Sequence, residues 1–138
     1  MKKLMCTICL FAVLSITAQA FADTDAQLKE LVTAHLALST VEDIEGIMNT
    51  MHSQSPTYAS QKDKLEEIAK VYNFDFDLLS FSFIGEDQDY AYARFKFLLK
   101  EVSGFQFKDN ERDTLGIFKK EGEQWKFWSQ INLEIDYK

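Results

Sequence analysis

The sequence predicts an α+β domain, with three N-terminal helices packed on a strongly curved, four-stranded and mainly antiparallel sheet. Two observations carry the prediction. At the C-terminus Trp125, Phe127, Ser129, Ile131, Leu133, Ile135 and Tyr137 take every second position. Gln124, Lys126, Trp128, Gln130, Asn132, Glu134 and Asp136 stand between them, the period of a half-buried strand. Before Phe74 the apolar residues recur instead at intervals of three and four, the period of an amphipathic helix.

The chain opens with Lys2 and Lys3, an apolar run from Leu4 to Ala18, and the small-residue sites Ala18-Gln19-Ala20 and Ala20-Phe21-Ala22. A basic start, a short apolar core and small residues at the cleavage point make an export signal, and the run is short for a membrane span. Cleavage is expected after Ala22, with Ala20 as the alternative. The domain then spans 23–138 and belongs in the periplasm or outside the cell. Removing 22 of the 138 residues leaves 116, enough for one modest core. Cys6 and Cys9 leave with the signal, so the expected mature chain has no disulfide, thiolate nucleophile or cysteine metal site. Losing Lys2 and Lys3 takes the net charge from −7 to −9, which argues against nucleic acid and anionic membrane surfaces as partners.

Thr24 and Gln27 are placed to open the first helix, and Leu28, Leu31, Val32, His35 and Leu38 form its apolar stripe. Ser39 or Thr40 caps a second helix that buries Val41, Ile44, Ile47, Met48 and Met51 and stops before Ser53-Gln54-Ser55-Pro56. Ser60 caps a third, carrying Leu65, Ile68, Ala69 and Tyr72. The first strand holds Phe74, Phe76, Leu78, Phe81 and Phe83, and its phase slips at Leu78-Leu79, which reads as a β-bulge. Ala91, Ala93, Phe95, Phe97 and Leu99 make the inner face of the second strand. Phe105 to Lys119 make the third, and Glu121-Gly122-Glu123 turns the chain into the fourth.

The order of elements resembles the NTF2-like superfamily, the cone-shaped fold of nuclear transport factor 2, ketosteroid isomerase and SnoaL-like polyketide cyclases. The residues that carry the likeness are Val41-Glu42-Asp43-Ile44-Glu45-Gly46-Ile47-Met48, Met51-His52-Ser53-Gln54-Ser55-Pro56, Phe107-Lys108-Asp109-Asn110-Glu111-Arg112 and Gly122-Glu123-Gln124-Trp125-Lys126. The resemblance implies a bent sheet around the first helix, an apolar cavity at the wide end, and dimerisation through the outer sheet face. It leaves the activity open, because one scaffold hosts enzymes, carriers and interaction domains. Helix one has no tyrosine, so the oxyanion donor of ketosteroid isomerase does not carry over.

The polar residues expected to reach such a cavity are His35, His52, Tyr58, Arg112, Asp113 and Ser129. His35 lies on an apolar stripe and reads as a general base or as a satisfied, half-buried histidine. His52 stands at the cavity mouth or caps the second helix. Arg112 and Asp113 must face opposite ways on a strand; Leu115 and Ile117 continue the Asp113 face, which puts Asp113 inside. Ser129 contacts a ligand or relieves crowding. Tyr90, Tyr92 and Trp128 are aromatics on outward faces and mark an interface between two copies. The histidine spacing gives no metal site, and no cofactor is expected.

Three functions follow as expectations. The first is non-catalytic binding of a small apolar or amphipathic molecule by a homodimer. The second is SnoaL-like, cofactor-free isomerisation, cyclisation or dehydration with His35 and Asp113 as acid–base pair. The third is an adaptor or immunity-type partner-binding domain.

Overall fold

The computed structural model of the chain describes residues 5–104 and 106–138, with side chains from residue 23 onward. The leader reading of residues 1–22 therefore rests on side chains outside the described ones. Three helices, α1 (Met5–Thr40), α2 (Ile44–Thr50) and α3 (Tyr58–Ile68), precede four strands. These are β1 (Asn73–Glu86), β2 (Tyr90–Ser103), β3 (Asn110–Glu121) and β4 (Gln124–Tyr137). They form one antiparallel sheet in the order β1-β2-β3-β4. Among the described residues, no helix is long and apolar enough to cross a membrane.

α1 lays Leu28, Val32 and Leu36, spaced at i and i+4, onto the concave face of the sheet, where all three are buried. Its C-terminal end is tied to β1, since the Thr40 hydroxyl accepts the Phe76 N–H (3.1 Å) and donates to Asp75 (3.4 Å). Thr24 lies inside this helix rather than at its start, and Thr40 is still part of it. The cap of α2 is instead Asp43, whose carboxylate accepts the Gly46 N–H at 2.9 Å. Glu42, at φ 55°, makes the sharp reversal between the two helices, and Val41 is left exposed. α3 starts before Ser60, with Thr57 at the cap position; the Ser60 hydroxyl donates to the Thr57 carbonyl.

The sheet bends at its bulges. Leu79 drops out of the β1–β2 register, as the slip in the sequence predicts. Two more bulges lie in β4, at Trp128 between the pairs Phe118–Phe127 and Ile117–Ser129, and at Leu133 between Thr114–Asn132 and Asp113–Glu134. Each reverses the face of the residues beyond it, because side chains alternate along a strand. Trp125 and Phe127 are buried as expected. Beyond them Gln130 and Asn132 share the inner face with Gly116 and Thr114, while Ile131, Leu133, Ile135 and Tyr137 are all exposed. The buried row expected along the whole of β4 thus holds for its first third.

β3 begins at Asn110, not Phe105: residues 106–109 are irregular, and Phe105 lies outside the described residues. Gly122, at φ 62°, takes the first central position of the two-residue turn into β4, where a side chain is strained. Gly116 faces the core, and a Cβ there would lie 2.7 Å from the Phe118 ring.

Candidate functional site

The helices cover the concave face without filling it. A cavity of about 330 Å³ remains between α1, α2, α3 and the sheet, walled chiefly by Leu36, Leu65, Phe76, Phe95, Phe97 and Phe127. Its polar lining comes from His35 and Ser39 on α1, Glu42 after it, Gln61 on α3, Arg112 on β3 and Gln130 on β4. An apolar cleft with a few placed polar groups is the usual form of a small-molecule site, and this volume sits at the small end of that range.

The state of His35 follows from its partners. The Thr50 hydroxyl donates to the Ile47 carbonyl at 2.6 Å, which uses its single proton. The same oxygen lies 2.7 Å from His35 Nδ1, so Nδ1–H must be the donor there. Nε2 is left as an acceptor with no protein donor among the described residues. The ring stands 4.7 Å from that of Phe127, and burial lowers the His35 pKa from 6.5 to about 4. The histidine is therefore a neutral hydrogen-bond acceptor at pH 7.

Arg112 points into the cavity, opposite Phe97 and Ile135 across the sheet. Its Nε donates to Asn110 Oδ1 at 2.9 Å, and no carboxylate among the described residues lies within 4.0 Å of it. Burial pushes its pKa down, the mark of a cation with too little compensation.

Asp113 corrects the sequence reading. It lies on the convex face, gripped by Arg94 Nε and Nη2 at 2.7 Å each, with Lys96 Nζ at 3.5 Å. These bonds, Arg94 first, hold its carboxyl below the usual range. Its neighbours Leu115 and Ile117 misled the assignment, since they lie half-buried on that convex face. The inward residues of β3 are Thr114, Gly116 and Phe118, small where the rings of Phe95 and Phe118 crowd the core.

The other candidates scatter. His52 is buried behind α2, outside the cavity lining: Nδ1 accepts the Gln54 N–H (3.1 Å) and Nε2 donates to the Lys120 carbonyl (3.2 Å). Tyr58 packs against the core without lining the cavity. Ser129 faces away, opposite Ile117, because of the Trp128 bulge. Tyr90 and Trp128 meet edge to face at 6.1 Å on the convex side, with the Lys119 ammonium 4.5 Å from the Trp128 ring; Tyr92 donates to Asp87. Of the six residues expected at the cavity, His35 and Arg112 line it. Gln130 went unforeseen because only the bulge brings it inside. Glu42, Ser39 and Gln61 carry no distinguishing sequence signal.

The model of the anti-sigma-I factor RsgI9 C-terminal domain family matches residues 30–138. No curated protein matches the chain. Among solved structures, it is similar to a candidate scytalone dehydratase from Novosphingobium aromaticivorans, with TM-score 0.70 and 13% identity over 88% of this chain and 92% of that one. A candidate aromatic ring hydroxylase from the same organism gives TM-score 0.69 and 12% identity, over 85% and 94%. A ketosteroid isomerase-like protein from Erwinia carotovora atroseptica gives 0.60 and 10%, over 80% and 96%. At such identities the likeness establishes the fold, which is NTF2-like.

Proposed function

The chain belongs to the family of the anti-sigma-I factor RsgI9 C-terminal domain, and on that premise we propose that it binds a small, largely apolar molecule in the cone cavity without transforming it. One observation carries the reading: the cavity is walled by aromatic and aliphatic side chains, yet holds no acid–base pair built on His35 and Asp113, which lie on opposite sides of the sheet. His35 alone, neutral with a pKa of about 4, is a weak general base, because proton transfer is best served by a pKa near the working pH. A family named for a domain of a regulatory protein suits binding without turnover. The same proposal places the domain outside the cytoplasm, after removal of residues 1–22.

The test is to fill the space. Ala69 lines the cavity at the end of α3 and is half-buried, so a larger side chain there projects into the void. Ala69→Trp is expected to weaken binding of the apolar probe 2-naphthol at least tenfold, about 1.4 kcal/mol, with little change in melting temperature. Native mass spectrometry of the wild-type protein should show a bound small molecule that the variant lacks. A bare wild-type protein that also ignores 2-naphthol overturns the reading.

A second reading concerns the convex face. Ile131, 51% exposed, extends a patch formed by Tyr90, Trp128, Leu115 and Ile117, and the rim carries both signs of charge in Arg94, Lys96, Lys119, Glu111 and Glu134. A mixed rim does not repel its own copy, and a two-fold interface is self-complementary. We assign this face to a homodimer. Ile131→Lys is expected to give a monomer by light scattering at concentrations where the wild type is dimeric; a monomeric wild type removes the assignment.

A further inference from the structure

We propose that the occupant of the cavity is a small organic acid, an apolar or aromatic body with one carboxylate held by Arg112 and a hydroxyl or N–H donor directed to His35 Nε2. The inference rests on the binding reading above and narrows it to a chemical class.

Arg112 is the first ground. A guanidinium carries five N–H donors in a rigid fork that matches a carboxylate, and only Nε is engaged here, by Asn110. The cations on the convex face beside β3 find carboxylates. Arg94 is spent on Asp113, and Lys96 reaches both Asp113 and Glu111. Arg112 is the cation that the fold turns inward instead, into a space lined by rings. Partial burial of a cation with one neutral partner is costly, and an anion in the cavity offsets that cost.

The charge of the occupant is bounded too. Arg112 supplies one positive charge to the lining, and Glu42, on the α1–α2 connection, adds a negative one that makes no ion pair with Arg112 among the described residues. A second negative charge on the ligand would find no cation to meet it. A monocarboxylate fits this lining better than a phosphate or a dicarboxylate.

His35 is the independent second ground. Its Nδ1–H is committed to Thr50, which fixes the tautomer and leaves Nε2 of this cavity-lining ring a lone pair with no donor among the described residues. An occupant that fills the cavity covers this acceptor, and a covered acceptor is costly when unmet, so the ligand is expected to bring the donor. Size is consistent: the cavity holds about ten water volumes, room for a bicyclic acid and little more.

The experiment titrates the full chain with 6-hydroxy-2-naphthoate and with 2-naphthol, by fluorescence or calorimetry, in the wild type, Arg112→Met, Arg112→Lys and Ala69→Trp. The wild type is expected to prefer the acid at least tenfold. Arg112→Met should erase that preference while 2-naphthol binds within about twofold of wild type, Arg112→Lys should keep part of it, and Ala69→Trp should lose both probes. Circular dichroism on each variant confirms that the fold is intact. Equal binding of acid and naphthol by the wild type, or a preference that survives in Arg112→Met, overturns the acid class and leaves the cavity reading standing. Failure of both probes to bind the wild type overturns the two together.

Discussion

Phe118→Ala is expected to destabilise the domain by about 4 kcal/mol in denaturant unfolding, with the slope of the transition unchanged. The ring is fully buried on the inner face of β3, its centroid 4.7 Å from that of Phe127, and it covers Gly116, whose missing side chain leaves the room it occupies. Removing it opens a cavity that Phe95 and Phe127, held by their own neighbours, cannot collapse into. A loss of that size is a large fraction of the stability of a domain this small. Leu133→Ala supplies the contrast, within about 0.5 kcal/mol of wild type, because Leu133 sits on a bulge and is 51% exposed. If the two substitutions cost the same, the register of β4 described here is wrong.

That contrast marks where the sequence stops being legible. Alternation along Gln124 to Tyr137 identifies the strand and both its ends, but not the two places where one residue is squeezed out of pairing. In β1 the slip is visible because two leucines stand side by side where alternation requires one. In β4 the extra residues are Trp128 and Leu133. Trp128 does break the alternation, but as an aromatic on the polar face it reads as an interface residue rather than a slip, and Leu133 leaves no mark in the pattern. What a bulge reverses is spatial, the face on which each later residue stands, and so Gln130 moves into the cavity while Ser129 leaves it.

The same limit governs β3. Arg112 and Asp113 were bound to face opposite ways, and the choice turned on which side of the sheet carries the larger hydrophobes. In this protein β2, with Phe95 and Phe97, fills the inside, so β3 must be small there, at Thr114 and Gly116, and shows Leu115 and Ile117 outward. The helical stripe of α1 was more legible. Leu28 and Val32 are buried as expected, Leu31, His35 and Leu38 are half-buried beside them, and Leu36, which the expected stripe omitted, completes the buried row.

His35 gives the second large effect, in its pH dependence. Burial places its folded pKa near 4, against 6.5 in the unfolded chain. At pH 7 both states are unprotonated at this site and its contribution is fully present. As the pH falls through 6.5 the unfolded chain takes up a proton that the folded protein refuses, so stability declines, and the decline ends below about 4, where both states carry the proton. The total is about 3 kcal/mol at 1.36 kcal/mol per pKa unit. His35→Asn keeps a donor for the Thr50 hydroxyl and cannot titrate. The stability difference between wild type and this variant, from chemical unfolding at pH 7 and pH 4, should therefore shift by about 3 kcal/mol against the wild type. Carboxylates such as Asp113 and Glu121, whose pKa values are lowered by their partners, lose their contribution at still lower pH, but they do so in both proteins and cancel. A pH-independent difference would mean that the imidazole reaches water, and an imidazole in contact with water has no need of a donor from a ligand.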